Sequence, residues 1–215
     1  MIDKLEVGLF QDMFLSAAEN IISQEPYLTE IDSAIGDGDH GLGMKRGFQS
    51  VEKLLRNKQY AYIDELCYEI SVELIKTMGG ASGIIFGSMF LGGVDCLPHS
   101  QYADAKQISQ YFWMGEQSVE KRGKAQPGQK TMLDALSPAC VQMELAAKGS
   151  ADLIEVFRAG YQGALHGMEA CRGMVSKTGR SRNFEEKTLG LPDPGAVSTT
   201  FIFEAFYHRI YENVR

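Results

Sequence analysis

The chain has 215 residues, enough for one domain with a substantial core, and its 44% hydrophobic and 23% charged residues are typical of a soluble globular protein. Its formal net charge of −7 argues against nonspecific binding to nucleic acid or to an anionic membrane. The longest apolar run, residues 84–94, is too short to span a bilayer and contains three glycines. We therefore expect neither nucleic acid nor a membrane as a partner.

Apolar residues recur at helical spacing along most of the chain and predict about eight amphipathic helices. We expect Pro26 to end the first helix, and Pro138 to fall in the first turns of the sixth or to bend it. The fourth helix is apolar or small on every side, which is typical of a helix buried all round. The predicted helices cover residues 3–24, 44–55, 63–75, 82–96, 108–122, about 131 onwards, about 151–177 and about 196 onwards.

The chain shows no convincing alternating strand, although short β segments near residues 60–63 stay open. We find no internal repeat and no linker, so residues 1–215 are treated as a single domain. The mostly short connections favour an all-α bundle of antiparallel neighbours. The loops rich in glycine and charge follow alternate helices, so an up-and-down bundle would gather them at one end. These loops cover residues 32–41, 79–83, 123–131 and 179–195.

Three aspartates, Asp32, Asp37 and Asp39, lie in a glycine-rich turn that can point them at one spot. Three neighbouring anions repel one another unless a cation joins them, and carboxylate oxygens select Mg²⁺ or Ca²⁺ over zinc. A solvated acidic loop is the alternative. An EF-hand loop counted from Asp37 fails, since its fifth position is Gly41 and its twelfth is Phe48. A magnesium–phosphate site is the better interpretation.

Residues 79–83 read G-G-A-S-G at the start of the predicted fourth helix. Backbone N–H groups at a helix start, with the Ser82 hydroxyl among them, suit a phosphate. Glycines that only let helices pack closely are the alternative. A hydrolase nucleophile elbow requires a glycine where Ile84 stands, so Ser82 is a poor candidate for a nucleophile.

Two further loops carry polar groups suited to phosphate. Residues 123–131 resemble a Walker A loop, but they contain one residue too many and follow a helix, so we reject that interpretation. Lys130 and Thr131 can still contact phosphate at a helix start, and a plain polar turn is the alternative. In the last long loop, Arg180 could fork onto a phosphate, and Asp193 begins a turn just before a helix.

The four cysteines are far apart and form no C-x-x-C pair, so we expect single buried thiols in a reducing cytoplasm. The first residues also lack the basic-then-apolar form of a signal peptide, which favours the same compartment. The four histidines are scattered along the chain, which argues against a zinc site.

Five motifs in this order resemble the nucleotide-binding L subunits of dihydroxyacetone kinases. They are the aspartate turn with its His-Gly, the G-G-A-S-G helix start, the R-G-K-A-Q-P-G-Q-K-T-M stretch at 122–132, Gly-Arg at 179–180 and G-L-P-D-P-G-A at 190–196. The resemblance spans nearly the whole chain. It implies a closed up-and-down barrel of about eight antiparallel helices, with ADP or ATP and two Mg²⁺ at one end.

The resemblance also implies roles for individual residues. Asp32, Asp37 and Asp39 would be the metal ligands, and no covalent nucleophile is expected. The nucleotide would be lined by His40, Gly41, Leu42, Gly43, Ala81, Ser82, Gly123, Met132, Arg180, Asp193, Pro194 and Gly195.

Counting charges supports two metal ions independently. The three aspartates bring −3 and ADP brings about −3, so two Mg²⁺ with Arg180 and Lys130 roughly neutralise the site. One divalent ion would leave about −2 uncompensated in a partly dry pocket. We therefore expect two ions bridging phosphate oxygens and carboxylates.

By resemblance, the chain is the separate subunit of a phosphoenolpyruvate-dependent dihydroxyacetone kinase. Bound ADP would be rephosphorylated by a phosphocarrier M subunit and would pass the phosphoryl group to dihydroxyacetone on a K subunit; a homodimer stays open. The alternatives are an ATP-dependent subunit of a related ketose kinase, such as one for erythrulose, and a nucleotide-sensing regulatory module. Residues 181–188 depart from the family pattern, which leaves partner docking and sugar specificity undecided.

Overall fold

The computed structural model describes residues 1–213 and is built mostly of helices. In this part of the chain nine α-helices are accompanied by two three-residue strands and two 3-10 helices. The strands are β1 (Lys4–Glu6) and β2 (Tyr102–Asp104), and the 3-10 helices cover Val94–Cys96 and Ser181–Thr188. The α-helices are α1 (Val7–Ser23), α2 (Glu25–Ile35), α3 (His40–Asn57), α4 (Ile63–Thr77), α5 (Gly80–Leu91), α6 (Ala105–Gly123), α7 (Leu133–Gly149), α8 (Leu153–Cys171) and α9 (Pro194–Glu212).

Each long helix packs on the helices that neighbour it in sequence. From α3 to α9 every helix contacts the next, and α1 packs on both α3 and α9. The shorter α2 lies against α3 and α9. The prediction that the fold is built of packed α-helices is therefore confirmed.

The core is an aromatic cluster supplied by helices from distant parts of the sequence. The buried ring of Phe206 on α9 lies 5.0 Å from that of Phe14, 6.2 Å from Phe112 and 6.0 Å from Phe157, measured between ring centroids. These partners lie on α1, α6 and α8. Burying one large apolar side chain contributes about 1.5–3 kcal/mol to the free energy of folding. The contacts of this cluster therefore stabilise the packing of the last helix on the first.

The prediction of a first helix over residues 3–24 is wrong at its N-terminal end. Residues 4–6 form β1, which pairs antiparallel with β2 so that Leu5 faces Ala103. Both residues are fully buried while their neighbours along each strand are exposed. Three residues are too few for such an alternation to be recognised in a sequence. The β segment left open near residues 60–63 is not one, because α4 begins at Ile63.

Pro26 begins a helix and does not end one. It stands in the first turn of α2, where its missing N–H would have had no partner within the helix. Helix α2 is not predicted by the sequence pattern, in which its last residues belong to the expected aspartate turn. The correction places Asp32 on a helix, one turn before the helix ends at Ile35.

The predicted fourth helix, residues 82–96, is shorter and less buried than expected. It is α5, which ends at Leu91, and Ile84 on its outer face is 48% exposed. Beyond it, a Cβ on Gly93 would lie 2.0 Å from the Tyr111 carbonyl oxygen, so only glycine allows the chain to pass α6 this closely. In the described residues, we find no helix with both the length and the apolar character that crossing a bilayer requires.

Candidate functional site

The three aspartates of the glycine-rich turn come together. Asp32 projects from α2, Asp37 lies in the turn, and Asp39 directly precedes α3. One carboxylate oxygen from each lies within 4.8 Å of the others. Gly38 adopts φ +74°, a conformation that a residue with a side chain rarely adopts, and this allows the turn. The predicted convergence of the three carboxylates is therefore present in the fold.

Arg180 lies across this acidic cluster, although it is 141 residues from Asp39 in sequence. Its Nη1 pairs with a carboxylate oxygen of Asp37, and it donates to Asp39 Oδ2 at 2.9 Å. The arginine side chain is 62% exposed, so the pairs are screened by water and contribute little to stability. Their importance is positional, since they bring the last long loop to the aspartate turn.

A cavity of about 500 Å³ opens beside the aspartates, and its size suits a small-molecule ligand. The N-terminal ends of four helices, α3, α5, α7 and α9, line this cavity, because its wall contains either the first residue of each helix or the residue directly before it. Helix N-termini carry a partial positive charge, so four of them at one cavity together favour an anion such as phosphate. The predicted gathering of the glycine-rich loops at one end is confirmed by this shared wall.

Most of the residues predicted to line a nucleotide lie in the wall of this cavity. Gly41 and Gly123 do not. Gly41 faces α2, where an added Cβ would lie 2.6 Å from the Glu25 carbonyl oxygen, and Gly123 ends α6 against the Ile85 side chain. The residues in the wall are His40, Leu42, Gly43, Ala81, Ser82, Met132, Arg180, Asp193, Pro194 and Gly195, together with the three aspartates.

His40 links the aspartate turn to α9. Its backbone N–H donates to Asp32 Oδ2 at 3.0 Å, and its Nε2 lies 2.8 Å from the Ser198 hydroxyl oxygen. Burial lowers the pKa of His40 to about 4. The imidazole is therefore neutral at pH 7 and adds no charge to the site. It can orient a ligand by hydrogen bonding.

The expected phosphate contact of Lys130 is wrong. Lys130 lies in the cavity wall, but it is only 1% exposed, and its Nζ donates to the carbonyl oxygens of Cys171, Arg172 and Leu191 at 2.9, 3.4 and 2.7 Å. Three acceptors satisfy the three N–H donors of the ammonium group. Burial lowers the pKa of Lys130. Its charge therefore lies beneath the site and does not meet a ligand directly.

Two buried aspartates hold the helix starts in place. The Asp193 side chain caps α9 by accepting from the Ala196 N–H at 2.8 Å. Asp193 is 7% exposed, and burial raises its pKa to about 7. Asp134 accepts from the N–H groups of Gly128 and Thr131, which fixes the turn before α7.

Sequence reasoning missed Asp134 and Arg46. Arg46 lies in the cavity wall, and its Nε donates to the Thr77 carbonyl oxygen at 2.8 Å while Nη2 donates to Met78. These carbonyls end α4, directly before Gly79. Only the spacing of Asp134 three residues after Thr131, a capping pattern, could have suggested a role. Nothing in the sequence distinguishes Arg46 from other polar residues of α3.

Comparisons with known proteins agree with this geometry. The family model described as the DAK2 domain matches residues 34–208. The ADP-binding subunit DhaL of the PTS-dependent dihydroxyacetone kinase of Lactococcus lactis is 31% identical over 86% of this chain and 88% of its own length. The corresponding subunit of the PEP-dependent enzyme of Escherichia coli is 32% identical over 89% of this chain and 91% of its own length.

A solved structure shows the same fold. The dihydroxyacetone kinase from C. freundii, in complex with AMP-PNP and Mg²⁺, aligns with a TM-score of 0.72 at 23% sequence identity. The alignment covers 94% of this chain and 34% of that longer chain. At this identity the likeness establishes shared architecture only.

Proposed function

This chain belongs to the DAK2-domain family, and from that premise we infer that it is the ADP-binding subunit of a phosphoenolpyruvate-dependent dihydroxyacetone kinase. Relatives of nearly the same length are described as ADP-binding subunits of PTS-dependent or PEP-dependent dihydroxyacetone kinases. The observation that carries the proposal is the convergence of Asp32, Asp37 and Asp39 at the mouth of a cavity walled by four helix N-termini.

The donor set fits a nucleotide held through magnesium. Three carboxylates within 4.8 Å offer hard oxygen ligands on one side of the cavity. We propose that they hold two Mg²⁺, because two divalent ions with Arg180 bring about +5 against roughly −6 from three aspartates and ADP, whereas one ion would bring only about +3. When bound, the triphosphate form of the nucleotide would supply the phosphoryl group, and the magnesium ions would neutralise the charge of its phosphates. The remaining nucleotide contacts are proposed for the predicted residues of the cavity wall, whereas the contacts of Gly41 and Gly123, which lie outside it, stay predictions.

The chain itself contributes positioning and electrostatics. Asp32 holds the N-terminus of α3 through the His40 N–H, which fixes the aspartate turn against the helix. Arg180 supplies a positive charge beside Asp37 and Asp39. The neutral imidazole of His40, which is hydrogen-bonded to Ser198, can orient a ligand without adding charge to the site. Phosphoryl transfer requires alignment and charge stabilisation more than a covalent step, so we assign no nucleophile.

The proposal extends to architecture and partners. We propose a closed up-and-down barrel, supported by the packing of α1 on both α3 and α9, and a single domain over residues 1–215. We also propose transfer from a phosphocarrier M subunit to dihydroxyacetone held on a K subunit, with a homodimer as a further assembly. The four cysteines are free, which supports a reducing cytoplasm.

Reconstitution tests this function. We expect mass analysis of the purified protein to reveal co-eluting ADP. We also expect many turnovers without added nucleotide when the protein is mixed with its two partner subunits, phosphoenolpyruvate, dihydroxyacetone and the phosphotransferase components that charge the phosphocarrier subunit. Turnover that consumes one free ATP per product would instead favour an ATP-dependent ketose kinase subunit. No turnover with either donor, despite nucleotide binding, would favour a regulatory module.

A further inference from the structure

The loop that carries Arg180 is closed at its base by a buried cation. Residues 172–191 leave the end of α8 and return to the start of α9. At the base of this loop, the Gly190 N–H donates to the Arg172 carbonyl oxygen at 2.8 Å. The Lys130 ammonium group binds the carbonyl oxygens of Arg172 and Leu191 together, so it joins the two ends of the loop.

Lys130 is held firmly in this position. Its third acceptor is the carbonyl oxygen of Cys171, the last residue of α8, where the helix dipole favours a cation. The negative charges of Asp193 and Asp134 lie close enough to act on it. The backbone of Lys130 adopts φ +59°, which is unfavourable for a residue with a side chain and persists only where surrounding contacts impose it.

The rest of the loop reaches the metal ligands through Arg180. The Arg180 side chain is mostly exposed to solvent and extends from the loop to Asp37 and Asp39. An exposed side chain on a long connection keeps a defined position only if the backbone beneath it is fixed. The fixed points include the base, where Lys130 lies, and Ser176, whose N–H donates to the Thr188 hydroxyl oxygen at 3.0 Å. The Lys177 N–H also donates to the Gln129 carbonyl oxygen at 3.1 Å, which ties the loop to the turn that contains Lys130.

We propose that Lys130 is a positioning residue that closes the base of the loop of residues 172–191 and thereby holds Arg180 at the metal–nucleotide site. The inference rests on the proposed function, because it gives Arg180 a role in binding nucleotide. Lys130 acts through the loop backbone and does not touch the ligand. Lys130 therefore affects the site indirectly, whereas the sequence predicts a direct contact with phosphate.

The test combines hydrogen exchange with a double-mutant cycle. In Lys130→Met, we expect amide exchange over residues 173–189 of the nucleotide-free protein to accelerate about tenfold or more. In the otherwise native protein, Arg180→Ala should weaken Mg²⁺–ADP binding about tenfold, measured by titration calorimetry. In the Lys130→Met background, Arg180→Ala should change that affinity less than about twofold, because the loop no longer presents the arginine.

Matched variants keep the result decisive. Lys187→Met removes an exposed lysine from the same loop and should leave both measurements unchanged. If Lys130→Met does not fold, Gly190→Ala serves instead. Gly190 adopts φ +83°, which disfavours alanine, so this substitution should loosen the base of the same loop without removing a charge.

Unchanged exchange, or a full Arg180→Ala effect in the loosened background, would overturn the proposal. If Arg180→Ala leaves Mg²⁺–ADP binding intact in the native background, the arginine's proposed part in the nucleotide site is wrong. The exchange measurement, which needs no nucleotide, then decides whether Lys130 closes the loop.

Discussion

At the scale of single residues, burial and neighbours decide what each charged group near the cavity can do. Lys130 has the charge to bind phosphate but uses its three donors on carbonyl groups below the site. Asp193 has the charge to bind metal but caps α9 in a buried position. Asp37 and Asp39 are exposed and therefore available to cations. Residue type alone does not separate these roles.

Asp193 predicts a pH dependence of stability. Its pKa is about 7 in the folded protein, whereas an unperturbed aspartate has a pKa of 3.8, so between these values the folded state binds more protons than the unfolded state. The free energy of unfolding contributed by this group therefore falls as pH rises from about 4 to about 7. In Asp193→Asn, which keeps an oxygen to cap α9, that fall should be absent.

The measurement is chemical denaturation of both proteins with EDTA and without nucleotide. From pH 4.5 to pH 8, the unfolding free energy of Asp193→Asn relative to the native protein should rise by about 2–4 kcal/mol. A difference between the two proteins that does not vary with pH would contradict the raised pKa.

At the scale of elements, glycines set how closely α7 and α8 approach. Gly160, Gly163 and Gly167 lie along one face of α8, and added Cβ atoms would meet α7 in each case. The closest approach is at Gly167, where a Cβ would lie 1.9 Å from the Asp134 carbonyl oxygen. This contact supports the first turn of α7 and therefore one wall of the cavity.

Gly167→Ala should consequently separate the two helices. We expect a loss of about 1–3 kcal/mol in the free energy of unfolding, because the new methyl group overpacks a tight contact. Gly149→Ala is the matched control, since a Cβ there has no neighbour within 4 Å; it should stay within about 1 kcal/mol of the native protein. Equal stability of both variants by urea denaturation would show that α7 and α8 can separate without cost.

At the scale of the whole molecule, the order of the helices places four N-termini and three carboxylates at one cavity. The arrangement presents both signs of charge to a ligand, with carboxylates for cations and helix starts for phosphate. Metal and nucleotide should therefore bind far better together than apart. Each neutralises groups that would otherwise repel the other.

Thermal unfolding measures this mutual dependence. Mg²⁺ with ADP at about 100 times the dissociation constant should stabilise the protein by about 2.7 kcal/mol, or roughly 5–10 °C in melting temperature. ADP with EDTA should produce little shift. Asp37→Ala should abolish the shift and leave the helical circular dichroism intact, whereas Asp95→Ala, an exposed aspartate away from the cavity, should retain it. A full shift in Asp37→Ala would refute the metal assignment.

The sequence by itself determined the helical class, the convergence of Asp32, Asp37 and Asp39, and most of the cavity wall. Those features depend on local periodicity and on glycine spacing, which act over a few residues. The family motifs added the nucleotide residues, and their roles stay predictions.

Only the tertiary structure decided the contacts of the Lys130 ammonium group, the burial of Asp193, the short β1–β2 pair and the place of Arg46. Each of these depends on atoms more than 25 residues away in the chain or on burial, and burial is a property of the packed molecule. A charged side chain is free to bind a ligand only after its own donors have found, or failed to find, partners in the fold.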